Sequence, residues 1–410
     1  MKRKFILLLF PAFILAATAC GSKGEDETTV DDPPVIRSIS TAYEGNKAVA
    51  GQPVTLLGEN FSPTASENKV LYGVGLDAIA LKVSEAAADH VVFTAPSVSK
   101  TTLSIRVSTN GKESNSVDLE YTEEKPVDDW SDEPTLDFVA LGGTRVTVVP
   151  GVEWTTFHGT WEGQVRNINI IRTALNEHNS LGIYYDYPHY PDDVVFPDGE
   201  DPRDLDKKCI YLDAVAGTNG PMACCQFVRV NGVVERVPTD TDDWAENCAL
   251  TIDEGNAVDI VKVNGNFDAA TLPNMNVGCG GPLLVWKGNI QTYPDWANED
   301  FIKTTHPRTA LGLSKDGKTV IQVTVDGRWT SSSSAERAIG MPTDLLSQLM
   351  KALGCYKAMN LDGGGGTAMW VYGYGNSRNI VNHVAVNVPD WNGTNLRATG
   401  NAVYIKSDLK

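Results

Sequence analysis

Asn360-Leu361-Asp362-Gly363-Gly364-Gly365-Gly366-Thr367 is the stretch on which the reading of this chain turns. A helix is expected just before it. Thr343 is placed to cap its start, Leu346, Leu349, Met350 and Leu353 fall on one face, and Gly354 suits its end. A short apolar segment, 356–361, reads as a buried strand, and 368–372 reads as a second. Between them lie one carboxylate and four residues without side chains. Glycine permits positive φ and close approach to a ligand, and successive N–H groups in such a loop can cradle an anion. The competing reading of the glycine run by itself is a tight turn between two strands.

Working outward, polar residues gather where strands stop. Thr309 to Leu313, a turn at Asp316-Gly317 and Val320 to Val325 form the clearest hairpin of the chain. Its geometry brings Arg308, at its start, beside Asp326 and Arg328, just past its end. Two arginines, two aspartates and an amide-rich loop at strand ends suit an anionic, hydroxyl-rich substrate. Each of these residues has a plain alternative as a salt bridge or a turn residue. His306 is a possible proton carrier or a structural histidine, and Trp370, Tyr372 and Tyr374 could stack on a sugar or fill a core. The nucleophile elbow, the His-Glu-x-x-His metal helix and the phosphate loop are all absent.

The surrounding segment, 135–410, mixes strand and helix signals and is large enough for one domain. Residues 145–149 read as a strand with a turn, and 167–174 alternate as a half-buried strand. Ala214 to Gly220 is a small-residue strand running into a turn at Asn219-Gly220. Residues 227–234 and 281–290 read as hairpins, the first with Asn231-Gly232 at its tip. Ser331 to Ser334 is expected to be a loop.

Composition and the N-terminus bound the rest. The chain has 410 residues, 42% of them hydrophobic, which allows packed cores and two or three domains. A formal net charge of -18 argues against nucleic acid as a partner. Lys2, Arg3 and Lys4 precede an apolar run from Phe5 to Ala17, which reads as a secretory signal over 1–19 and is too short to span a bilayer. Ala17-Thr18-Ala19-Cys20 resembles a bacterial lipobox, with Ala17 where leucine is usual, so lipidation at Cys20 is expected. Residues 20–33 form a flexible charged tether, and Ser22-Lys23-Gly24-Glu25-Asp26-Glu27 resembles the acidic tether of Bacteroidetes surface lipoproteins. The protein is therefore expected at the outer membrane or cell surface, touching the membrane only through its lipid. Cys209, Cys224, Cys225, Cys248, Cys279 and Cys355 permit disulfides in an exported chain, with buried free thiols as the alternative. No cofactor is called for, and a divalent metal such as calcium stays open.

From Pro34 to Thr122 short strands alternate with turns at Gly58 and Asn110-Gly111, the pattern of an all-β sandwich. The order Gly51-Gln52-Pro53-Val54-Thr55-Leu56-Leu57-Gly58-Glu59-Asn60-Phe61, with Phe93-Thr94-Ala95-Pro96 and Leu119-Glu120-Tyr121, resembles the IPT/TIG immunoglobulin-like domain. That resemblance implies a spacer or binding module without catalytic residues. Residues 123–134, acidic and proline-bounded, read as a linker. The expected architecture is multidomain: the immunoglobulin-like sandwich over 34–122, then an α+β domain with a mixed sheet over 135–410.

The motif Asn360-Leu361-Asp362-Gly363-Gly364-Gly365, after an amphipathic helix, resembles the hallmark of the phosphodiester glycosidases. Further blocks match in order: Pro150 to Trp154, Ala216-Gly217-Thr218-Asn219-Gly220, Gly281 to Val285, Arg308-Thr309-Ala310, Val325-Asp326-Gly327-Arg328 and Leu396 to Val403. The chain departs from the pattern at Pro221-Met222, where glycine and aromatics are usual, and at Gly366-Thr367, where two hydroxyls are usual. The resemblance implies hydrolysis of a sugar-1-phosphodiester, of the N-acetylglucosamine-1-phosphate type, in an envelope or host glycan. Asp362 and Asp326 would be the carboxylates, and Arg308, with Arg328, would hold the phosphate beside Gly363, Gly364, Gly365 and Thr367. Asn360, Asn219 and Gly220 would bind sugar hydroxyls or orient the loop. A surface lipoprotein that binds glycan or assists exopolysaccharide assembly without turnover is the alternative.

Overall fold

In the computed structural model, residues 32–41, 43–49, 52–72, 79–96, 102–122, 130–185, 204–221, 226–236, 247–263, 265–291, 302–330, 332–385 and 396–410 are described. The lipobox with Cys20, Cys224-Cys225 and the first part of the linker lie outside them. Among the described residues no helix is long and apolar enough to cross a membrane.

Strands between Val35 and Glu120 form an eight-stranded antiparallel system, as the alternating pattern predicts. Its core is its own: Ile36, Leu56, Val70, Phe93, Ile105 and Leu119 are all buried in one cluster with no residue from beyond 121. Gly58 faces Val35 so closely that a Cβ would overlap its carbonyl oxygen, so a side chain there would push the first two strands apart.

The C-terminal domain is built of antiparallel sheets with few helices, so its sheets are not mixed among the described residues. The largest sheet has eight strands, and its centre is the sequence Leu283–Trp286, Lys357–Asn360, Arg308–Leu313, Thr319–Val325, Gln164–Ala174. The middle strands are buried along most of their length because both faces are covered. One face meets a four-stranded sheet, which includes Ala216–Asn219, Met369–Val371 and Asn401–Ser407, and a five-stranded sheet around Cys248–Asp253. The other face carries the helix Thr343–Ala352, whose Leu346, Leu349 and Met350 are fully buried. Burying three such side chains contributes roughly 1.5–3 kcal/mol each.

Several expectations change at this level. Thr343 is the first residue of the helix rather than its cap; Pro342 precedes it without a capping bond. Gly354 does end the helix, with φ +91 and its N–H on the Lys351 carbonyl. The strand containing 167–174 is buried on both faces from Arg166 to Ile171, because it is central and not a surface strand. Its alternating Asn167 and Asn169 therefore point into the protein, and Asn167 becomes part of the site. The second half of the linker docks on the C-terminal domain: the Trp130 ring lies 5.6 Å from Tyr356, and Asp132 accepts the Lys315 N–H at 2.7 Å. Cys209, Cys248 and Cys355 are buried free thiols, and burial pushes each thiol well above its usual range.

Candidate active site

The strand Lys357–Asn360 belongs to the eight-stranded sheet and Met369–Val371 to the four-stranded one. The glycine run therefore crosses between two sheets, with a single 3-10 turn at Gly364–Gly366, and is not a hairpin turn. Buried bonds pin it. Asn219 donates through Nδ2 to the Asp362 carbonyl at 2.7 Å, and its Oδ1 accepts from Thr309 Oγ1 at 2.7 Å and Ala368 N at 3.1 Å. One fully buried side chain thus ties both ends of the loop to the central hairpin. The Asp362 N–H adds a bond to the Gly220 carbonyl at 3.0 Å. Asn360 acts similarly, donating to the Gly281 and Leu361 carbonyls at 3.1 and 2.6 Å. Its Oδ1 and Thr367 Oγ1 are buried beside the loop without a hydrogen-bond partner among the described residues.

Each missing side chain in the run makes room for something. At Gly363 a Cβ would lie 2.7 Å from the Pro307 carbonyl oxygen. At Gly364, where φ is +62, it would lie 3.0 Å from Arg328 Nη2. At Gly365 it would lie 3.6 Å from Arg397 Cδ and 3.7 Å from its Nη1, and at Gly366 it would lie 3.0 Å from Asp362 Oδ2. The loop thus holds two guanidinium groups and a carboxylate against a bare backbone. Arg328 and Arg397 are both exposed, and among the described residues no ion pair engages either. Asp362 is half-buried and accepts the Gly363 N–H at 2.9 Å. Burial raises its carboxyl above the ordinary value, while the Arg397 charge and the Gly363 bond pull it back down.

The other two expected charged residues are placed differently. Arg308 is 2% exposed, and its guanidinium donates to the Met341 and Thr304 carbonyls at 3.1 and 3.2 Å. Asp326 is 0% exposed and lies under the site. Its carboxylate accepts from Asn167 Nδ2 at 2.5 Å, Asn382 Nδ2 at 2.8 Å and the His383 N–H at 2.7 Å. Burial pushes its carboxyl up, and nearby His383 and these donors oppose the rise. Three N–H groups converging on it fit the ionised, acceptor-only form. Asn382 also donates to the Thr367 carbonyl at 3.2 Å, so Asp326 supports the end of the loop from below.

His306 pairs its main chain with Met341. Trp370 is buried, Tyr374 packs 5.5 Å from Trp154, and Tyr372 is exposed. The residue missed by sequence reasoning is Arg397, which lies in the block Leu396 to Val403 but carried no signal of its own. Asn167, Asn382 and His383 were missed likewise, since an asparagine in a strand or loop, or a backbone N–H such as that of His383, has no distinguishing pattern. Asn219 is the asparagine beside Asp362. Among the described residues no group of three or more His, Cys, Asp or Glu converges.

The molecule is thus an immunoglobulin-like sandwich followed by a mostly-β domain, with a half-buried carboxylate and two arginines on a glycine loop. Residues 34–121 match the IPT/TIG domain and residues 211–406 match the phosphodiester glycosidase family, so the chain carries a phosphodiester glycosidase domain preceded by an IPT/TIG domain. Among solved structures it is similar to the catalytic domain of zebrafish N-acetylglucosamine-1-phosphodiester alpha-N-acetylglucosaminidase, auto-inhibited by its pro-peptide. That match has 16% identity and TM-score 0.46, and it covers 69% of this chain and 100% of the other. A hypothetical protein from Synechocystis gives 11% identity and TM-score 0.43, over 92% of this chain and 81% of its own. At these scores the likenesses add no weight to the reading of the site. No curated protein matches the chain significantly.

Proposed function

We propose that the C-terminal domain hydrolyses a sugar-1-phosphodiester, of the N-acetylglucosamine-1-phosphate type, in an envelope or host glycan. The observation that carries this reading is the glycine loop, with Asp362 at Gly366 and Arg328 and Arg397 at Gly364 and Gly365. The C1–O bond breaks and the phosphomonoester leaves with the electron pair. Its second pKa is about 6, so it departs without the strong general acid that an ordinary glycoside needs. Asp362 serves as base towards the attacking water or as nucleophile at C1, and the two arginines with the loop amides neutralise the phosphate. Arg308 shapes the site from the core by holding the Thr304 and Met341 segments. The anomer released separates the two roles of Asp362: inversion marks the base, retention the nucleophile. Asp362→Asn should fold and lose about 100-fold or more in kcat on a sugar-1-phosphodiester. A folded variant with full activity would sink the assignment.

A second reading is favoured by one observation. Glycosidases commonly use two carboxylates, and Asp326 is sealed from solvent. A glycan-binding surface lipoprotein would bind the same phosphoglycan without releasing product, which calorimetry combined with product analysis distinguishes. In both readings we place the protein at the cell surface, anchored through Cys20, with the IPT/TIG domain as spacer. Loss of lipid labelling and release of the protein in a Cys20→Ala variant is the expected result.

A further inference from the structure

The segment that carries Arg397 is fastened from behind by a buried cation. Lys208, in the helix Leu205–Tyr211, is 0% exposed, and its Nζ donates to the Thr399 carbonyl and lies 3.4 Å from Thr399 Oγ1. Thr399 in turn touches the glycine run: its Cγ2 is 3.5 Å from where a Cβ of Gly366 would be. Its hydroxyl donates to the Asn401 carbonyl at 3.2 Å, closing the turn into the strand Asn401–Ser407. Two residues earlier, Arg397 lies on Gly365 and supplies the positive charge that Asp362 feels.

The helix bearing Lys208 is itself locked by charge. Arg378 donates to Asp206 at 2.8 and 2.6 Å and to Asp204 at 2.7 Å, and Asp206 is 1% exposed. Burying ions is costly, and such groups remain charged inside a protein only when paired and hydrogen-bonded. Hydrophobic contacts alone could have packed this helix, since Leu205, Cys209 and Ala214 already join Trp370 and Ala402 in a core. What a buried ammonium adds is a directed bond to one carbonyl.

We propose that Lys208 is a positioning residue: it fixes the Thr399 turn so that Arg397 stays on the glycine loop beside Asp362. The proposal rests on the reading of Asp362 as the working carboxylate, yet its test needs no turnover. Lys208→Met keeps the apolar stem and removes the donor. In the full chain the Asp362 carboxyl is titrated by 13C NMR on aspartate-labelled protein, for wild type, Lys208→Met, Arg397→Gln and the double variant. Among the described residues, Arg397 and Arg328 are charges on the loop near Asp362, and Asp204, Asp206, Lys207 and Arg378 belong to or engage the segment that carries Lys208. Lys208→Met should move the Asp362 midpoint upward as Arg397 drifts away. Arg397→Gln should do the same, and the double variant should go no further than Arg397→Gln alone. A shift from Lys208→Met that persists in the Arg397→Gln background, or no shift at all, overturns the proposal.

Should Lys208→Met not fold, Lys208→Arg is read in the same two backgrounds. Its larger head must push Thr399 outward, and the same shift and the same disappearance are expected. On a sugar-1-phosphodiester the folded variant should raise KM several-fold, with the acid limb of kcat displaced upward. Wild type without turnover would remove the hydrolase reading but leave the NMR result standing.

Discussion

Asp362 and Asp326 are both acidic residues raised by burial, yet their surroundings assign them opposite duties. Asp326 is met by three N–H donors and no solvent, which is the setting of a structural anion. Asp326→Asn would turn an amide NH2 towards one of those donors. It should lower stability by roughly 2–4 kcal/mol, read by urea unfolding, and lower activity with it. Asp362 has one backbone donor and partial exposure, so Asp362→Asn should lose activity while keeping the fold. The pH dependence of Asp362→Asn follows from the same burial. Because the folded Asp362 carboxyl is raised above 3.8, its protonated form contributes stability that is complete below 3.8 and is lost as pH rises through the raised value. Asn does not titrate. The stability of Asp362→Asn relative to wild type should therefore increase from acid towards neutral pH and then level off, and a relative stability that falls with pH would contradict the burial argument. At Asn219, replacement by Ala strands Thr309 Oγ1, the Ala368 N–H and the Asp362 carbonyl together. A loss of about 2–3 kcal/mol is expected, with the loop released and activity reduced in parallel.

At the scale of elements, the site depends on how the central hairpin meets its neighbours. Strand Arg308–Leu313 pairs on one side with Thr319–Val325 and on the other with Lys357–Asn360, so the hairpin end and the loop start are adjacent by register. Helix Thr343–Ala352 sits on the opposite face and needs Gly312 to do so. A Cβ there would lie 2.8 Å from Cys355 Cβ and 2.9 Å from Met350 Cε. Gly312→Ala should cost about 1–3 kcal/mol by overpacking and lift the helix from the sheet, measurable as a lower unfolding midpoint. Since that helix leads directly into the strand before Asp362, kcat should fall as well.

For the whole molecule, the two domains have separate cores, and the residues that join them have unequal roles. Trp130 to Pro134 pack on the C-terminal domain through Tyr356, Lys315 and Gly354. A chain beginning at Trp130 should fold and turn over like the full protein. One beginning at Leu136 should unfold at lower temperature, because it loses the Trp130 ring contact and the Asp132 bond. Equal midpoints for the two truncations would show that these contacts do not matter.

The amphipathic spacing of 346–353, the Asn-Gly hairpins and the alternating strands of 34–122 are local patterns, so the sequence alone was enough to place those elements and the strand ends where charge collects. Asp362 and the glycine run were legible for the same reason: a carboxylate followed by bare backbone is an unusual local signal. The resemblance put Arg328 beside the run, but that Arg397 lies at Gly365 was not legible, because it arrives from a segment distant in sequence. The fate of Arg308 and Asp326 was equally hidden. Standing at a strand end does not say whether a side chain turns to solvent or to the core, and burial decided that both turned inward. Sequence determined that this chain has a carboxylate on a glycine loop; only the tertiary structure, by bringing far segments within a few ångströms, decided which charges serve it.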